Sequence, residues 1–288
     1  MKKNSKALAI TTVAAFLATA SSVAFAQNAQ EEVNKQIAKL IGDAISNRVS
    51  TKALDAVGQG AANAEKNALW GSYTRLRVDF SGAGFNGDSR SNAYVAGYDR
   101  DVTENFIAGV AVNYVDSGGS IGAFSIDAHS QGISPYLTYL FTKNIFGIVR
   151  LDYNESSGGG FRIESYGAAA SINGVYRSGD LVGKGRLELG TNRSDAGALG
   201  GKQNTTLYSG DGELGYYFTP TVYGHVGLQL SETDSPNSYQ ASARAGVETK
   251  IGKNMAVSLK YEKKVDDNLP SGVNIKVDSL TVALRVRF

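Results

Sequence analysis

Leu280-Thr281-Val282-Ala283-Leu284-Arg285-Val286-Arg287-Phe288 closes the chain. Taken two at a time from Leu280, it puts Leu280, Val282, Leu284, Val286 and Phe288 on one side. Thr281, Ala283, Arg285 and Arg287 fall on the other. Successive strand side chains point to opposite faces, so this is a strand with an oily side and a small or cationic side. The same alternation recurs upstream. Met255, Val257, Leu259 and Tyr261 oppose Ser258, Lys260 and Glu262. Val149, Leu151 and Tyr153 oppose Arg150, Asp152 and Asn154, and Leu187 and Leu189 oppose Lys184, Arg186 and Glu188. Val226, Leu228 and Leu230 oppose His225 and Gln229. In 69–80, Trp70, Leu76, Val78 and Phe80 oppose Tyr73, Arg75, Arg77 and Asp79. In 123–139 and 161–176 the parity is expected to slip, at a bulge.

Twelve such segments follow Leu69, at about 69–80, 91–99, 106–116, 123–139, 145–155, 161–176, 181–191, 204–218, 222–231, 238–250, 255–265 and 273–288. The segments between them alternate in character. Those at 81–90, 117–122, 156–160, 192–203, 232–237 and 266–272 are longer and rich in Gly, Ser and Asp. Those at 100–105, 142–144, 177–180, 219–221 and 252–254 are short. Membrane barrels sort their connections in this way, with long loops outside and tight turns on the periplasmic side. A closed, twelve-stranded antiparallel transmembrane β-barrel over 67–288 is therefore expected, since an open sheet edge in lipid would leave backbone groups unsatisfied. Its oily faces must look outward. An interior of this width cannot be filled by side chains alone, and a Lys or Arg at the bilayer midplane costs about 2–4 kcal/mol. Tyr94, Tyr98, Phe106, Tyr114, Tyr136, Tyr139, Phe141, Tyr216, Tyr217, Phe218 and Tyr261 lie near strand ends, where interfacial girdles sit.

The N-terminal part has a different texture. Lys2, Lys3 and Lys6 precede a short apolar run to Ala20, and Ala24-Phe25-Ala26 ends it. This is the layout of a secretory signal peptide, 1–26, followed by a linker region, 27–66. Within 28–50, Val33, Ile37, Leu40, Ile41, Ala44, Ile45 and Val49 recur at spacings of three and four, which predicts an amphipathic helix. Twenty helical residues span about 30 Å, roughly a bilayer core. The helix is too polar for lipid.

Composition removes other classes. Lys+Arg 29 against Asp+Glu 27, with no charged tail, gives no electrostatic footprint for nucleic acid. The chain has no Cys, hence neither disulfides nor a thiolate metal site. No cofactor, metal site or catalytic residue is expected. His129 and His225 are the two histidines, and neither belongs to a triad recognisable by spacing.

Residues from about 45 to 288 resemble the translocator β-domain of classical monomeric autotransporters. Ile45-Ser46-Asn47-Arg48-Val49 is similar to the Asn-Arg end of that family's linker helix. Ala68-Leu69-Trp70 with Arg75 resembles its first strand. Ala96-Gly97-Tyr98-Asp99 with Asn105-Phe106-Ile107-Ala108-Gly109-Val110 resembles its second hairpin. Val286-Arg287-Phe288 resembles the aromatic-ended signal read by the outer-membrane assembly machinery. The resemblance implies a helix through the lumen, joined to the first strand on the periplasmic side, and an N-terminal passenger delivered to the surface. Here only Gln27 to about Glu31 precede the helix, so little or no passenger is expected.

The charges assigned to the lumen wall are Arg75, Arg77, Arg150, Asp152, Lys184, Arg186, Glu188, Glu213, Arg244, Glu248, Lys260, Glu262, Arg285 and Arg287, expected to grip the helix's polar face. Asn47 and Arg48 mark the linker helix, and Phe288 the assembly signal. The expected partners are outer-membrane lipid and the barrel assembly machinery, with the protein a monomer in the bacterial outer membrane. A helix-plugged passive channel is the alternative function, and an outer-membrane hydrolase a more distant one. N-terminal sequencing of protein recovered from the outer membrane is expected to begin at Gln27.

Overall fold

The computed structural model describes residues 38–54, 66–82, 85–121, 124–158, 161–195, 202–234, 237–267 and 273–288. The expected signal peptide and the stretch 28–37 of the expected helix lie outside these residues.

Twelve antiparallel strands close into one barrel in sequence order. They are β1 (Asn67–Gly82), β2 (Phe85–Asp101), β3 (Phe106–Ile121), β4 (Phe124–Leu140), β5 (Ile145–Gly158) and β6 (Phe161–Ser178). The second half comprises β7 (Leu181–Asp195), β8 (Lys202–Tyr217), β9 (Val222–Asp234), β10 (Asn237–Ile251), β11 (Met255–Asp267) and β12 (Val273–Arg287). The closing seam joins β1 to β12 from Ala68↔Arg287 to Gly82↔Val273. Helix α1 (38–54) lies inside the barrel.

The final strand turns its sides as its alternation requires. Leu280, Val282, Leu284 and Phe288 are exposed on the outer wall, whereas Arg287 is buried and Arg285 reaches inward to Glu248. Leu151, Leu187, Leu228 and Leu259 are likewise exposed, and Arg150, Arg186, Gln229 and Glu262 are buried on the opposite parity. The apolar outer belt is flanked by aromatic side chains at both ends. Tyr73, Tyr94, Tyr114, Tyr166 and Tyr261 mark one rim, and Tyr139, Phe141, Tyr176, Tyr216 and Phe218 the rim that carries Asn67 and Phe288. Such a belt needs lipid against it. The protein is an outer-membrane barrel. Among the described residues no helix is long and apolar enough to cross a membrane, so the strands do the crossing.

Several details differ from the sequence reading. The described parts of the Gly- and Ser-rich segments at one end are strand, with β1 and β2 still paired at Gly82↔Phe85 and β3 and β4 at Ile121↔Phe124. About 9–11 tilted residues suffice to cross a bilayer, and these strands hold 13 to 18. The surplus carries the wall past the tyrosine rim. At the other end the turns are tight, and Gly179 and Gly252 take φ of 60° and 70° there. β4 and β6 keep parity throughout: Ser130, Ser134, Tyr136 and Thr138 are buried, as are Ile163, Ser165, Ala169, Asn173 and Val175. The register shift lies in β10 instead, at Ala241/Ser242, where Val265 of β11 is skipped.

Arg75 and Arg77 face outward, not into the lumen. Their parity is that of Tyr73, and Arg75 pairs with the exposed Leu280. Trp70, Thr74, Leu76 and Val78 are the inward residues of β1. The rule that charge turns away from oil holds only across the hydrocarbon. Arg75 and Arg77 stand past the Tyr73 row, at headgroup level, where the outer side is polar. Tyr136 and Tyr217, expected in the girdle, are also buried inside.

Leu284 sits midway along the oily face of β12. Leu284→Lys is expected to destabilise the barrel by about 2–4 kcal/mol, measured by urea unfolding in lipid vesicles.

Candidate functional site: the lumen and its helix

α1 is two-sided, and so is the wall around it. Ile41, Ile45, Val49 and Ala53 recur every four residues and are buried. They share one apolar cluster with Val95, Ile107, Ala111, Val115, Phe146 and Ile148 from β2, β3 and β5. The helix's charged residues meet charged wall positions instead. Asp43 accepts from Arg186 at 2.5 Å and from Lys260 at 3.2 Å. Lys39 pairs with Glu262, and Lys52 with Asp101. Ser46 donates to Asn173 at 2.7 Å. An apolar interior needs no bound ligand when a helix supplies the matching stripe.

The wall charges form a connected network. Arg186 also donates to Asp211 at 2.6 Å, and Arg244 reaches the other oxygen of Asp211 at 2.6 Å. Arg150 lies between Asp152 at 3.0 Å and Glu188 at 3.2 Å. Glu213 collects Lys184 at 2.7 Å, His225 at 3.0 Å and the Tyr223 hydroxyl at 3.1 Å. Arg285 donates to Glu248 at 3.3 Å. An unpaired charge at such depth would be costly, and each of these has a partner. Arg150 comes so close to α1 that a Cβ at Gly42 would overlap its guanidinium.

Nearer the rim of Asn67 and Phe288 is a second anchor. Arg48 donates to Asp99 at 2.8 Å with both side chains buried. The Tyr136 hydroxyl donates to the other Asp99 oxygen at 3.1 Å, and the Trp70 indole donates to Tyr136 at 3.3 Å. Trp70 lies flush over Gly97, where any Cβ would strike the ring. Arg48 of α1, Trp70 of β1 and the Gly97/Asp99 pair of β2 thus meet at one point.

Of the expected wall residues, Arg186, Lys260 and Glu262 contact α1 through ion pairs, and Arg150 packs against it. Asp152, Lys184, Glu188, Glu213, Arg244, Glu248 and Arg285 act within the wall network. Arg287 is buried on the inward face at the seam. Asn47 is exposed on α1, and its backbone oxygen accepts from the Thr51 hydroxyl. Phe288 completes the seam through backbone hydrogen bonds with Asn67. Asp43, Lys39, Lys52 and Asp211 were not singled out in the sequence. The polar stripe of an amphipathic helix does not say which wall residue each charge will meet.

No protein-family profile and no curated protein sequence matches the chain. Solved structures do. The β-domain of the Bordetella autotransporter BrkA superposes with a TM-score of 0.61 at 14% identity, over 78% of this chain and 100% of that one. The barrel fold is shared with that translocator domain. The translocator domain of NalP from Neisseria meningitidis is similar at 0.61 and 12%, covering 87% and 98% of the two chains. An outer-membrane channel from Pseudomonas putida F1 gives 0.59 and 10%, covering 79% and 97%. Translocators and channels thus share this barrel.

Asp43→Ala removes a carboxylate shared by two buried cations, a loss of about 3–5 kcal/mol for a buried pair broken on one side. It is expected to raise ion conductance across planar bilayers. A trace as closed as wild type would mean that the apolar stripe alone holds the helix.

Proposed function

We propose that the protein is an autotransporter-type translocator barrel with little or no passenger, its lumen occupied by α1. The observation that carries this reading is the direction of the helix. Its C-terminal part is tied to Asp101 and Asp99, beside the rim where β1 begins and the chain ends. Its N-terminal part is tied to Glu262, seven residues up β11 from that rim. The N-terminal end of the described helix therefore points toward the opposite mouth, which we read as the surface side. Sequence placed ahead of the helix would be held outside by a rod anchored along its length.

A second reading is a passive channel plugged by the same helix, favoured by the density of ion pairs between rod and wall. The two differ in what happens to sequence added before the helix. An epitope inserted between Ala26 and Gln27 is expected to be labelled by antibody and removed by protease on intact cells. An epitope detectable only after outer-membrane permeabilisation would overturn the translocator reading and leave the plugged channel.

A further inference from the structure

The outer wall carries a row of side chains that the lumen does not use. Asp116 of β3 pairs with His129 of β4, and His129 pairs with Ser157 of β5. Ser157 in turn pairs with Arg162 of β6. All four share the outward parity, with Asp116, His129 and Arg162 exposed and Ser157 half-buried. Ser157 Oγ lies 2.8 Å from His129 Nε2. With the ring proton on Nδ1, the hydroxyl donates to Nε2, the arrangement in which imidazole takes a serine proton. Asp116 makes no hydrogen bond or ion pair among the described residues. Directly opposed residues in a sheet have Cβ atoms about 4.5–5.5 Å apart, so a turn of the Asp116 side chain brings its carboxylate to Nδ1. Arg162, opposite the serine in the ladder, is held by Glu155 at 2.9 Å and Glu164 at 3.1 Å.

The row's height suggests its substrate. The next outward row on β3, β2 and β1 is Tyr114, Tyr94 and Tyr73 of the aromatic rim. Below it lie Val112 and Ile133. The nucleophile therefore stands just past the hydrocarbon edge, where the headgroups and acyl linkages of membrane lipids lie.

We propose that Ser157, His129 and Asp116 form an acyl-ester hydrolase site on the outer wall, acting on lipid esters at the membrane surface. Ser157 Oγ attacks the ester carbonyl while its proton passes to His129 Nε2. The C–O bond to the alcohol breaks, and the alcohol leaves with that proton. Water then attacks the acyl-serine, giving a proton to Nε2. The Oγ–C bond breaks, the carboxylic acid departs and the serine regains its proton. Asp116 is a positioning residue, fixing the ring and stabilising imidazolium.

The test uses the folded barrel, with heat-dependent gel mobility to confirm folding of each variant. A fluorophosphonate probe is expected to label wild type and not Ser157→Ala, and to label His129→Asn about 10²-fold more slowly or worse. With phospholipid vesicles, wild type releases fatty acid, and Asp116→Asn lowers kcat while KM stays unchanged. No labelling of wild type, or equal labelling of Ser157→Ala, would overturn the site. Hydrolysis of soluble short-chain esters without release from vesicles would overturn the lipid assignment.

Discussion

Closure is the constraint on which everything else rests. A strand in hydrocarbon has no water to satisfy its backbone, so each must pair on both sides. β12 completes this by pairing with β11 and with β1. Once the sheet is closed, its period of two divides every strand between lipid and lumen. The exposure of Leu284 and the burial of Arg287 are two expressions of that division. The width of a twelve-stranded cylinder then creates a second demand, because wall side chains cannot fill it. α1 answers it with an apolar stripe against the wall's buried hydrophobics and with charges that meet wall charges.

The sequence discloses most where the two sides differ most in chemistry. Across the hydrocarbon, Leu187 and Leu189 against Arg186 and Glu188 leave one choice of face. Beyond the tyrosine rim the outer side is polar as well. The rule that turns Arg75 and Arg77 inward no longer applies at their height. Their neighbours Leu76 and Val78 take the inside there, where they are buried from water. Strand length was underestimated for the same reason: Gly, Ser and Asp suit loops, but they also suit a wall standing clear of the membrane.

The lumen was legible as a class of residue and not as a set of partners. Arg186, Lys260 and Glu262 could be placed on the inner wall from parity alone. Their contacts with Asp43 and Lys39 depend on the depth and rotation of α1, which no local pattern encodes. Asp99 was visible through its Gly-x-Asp setting, yet its link to Arg48 and Tyr136 needs three strands and the helix at once. The pairing of His129 with Ser157 needs β4 and β5 in register past Pro135, where the ladder is interrupted.

The direction of α1 limits how the molecule can be assembled. The rod is wider than any gap between hydrogen-bonded strands, and its lower end is tied to Asp101, beside the start of the first stave. It cannot slip in sideways once β1 has met β12. Either the wall wraps the rod as the last seam zips, or the rod climbs through the rim beside Asn67. Building the cylinder and loading its bore are therefore linked steps, written into the order of the polypeptide.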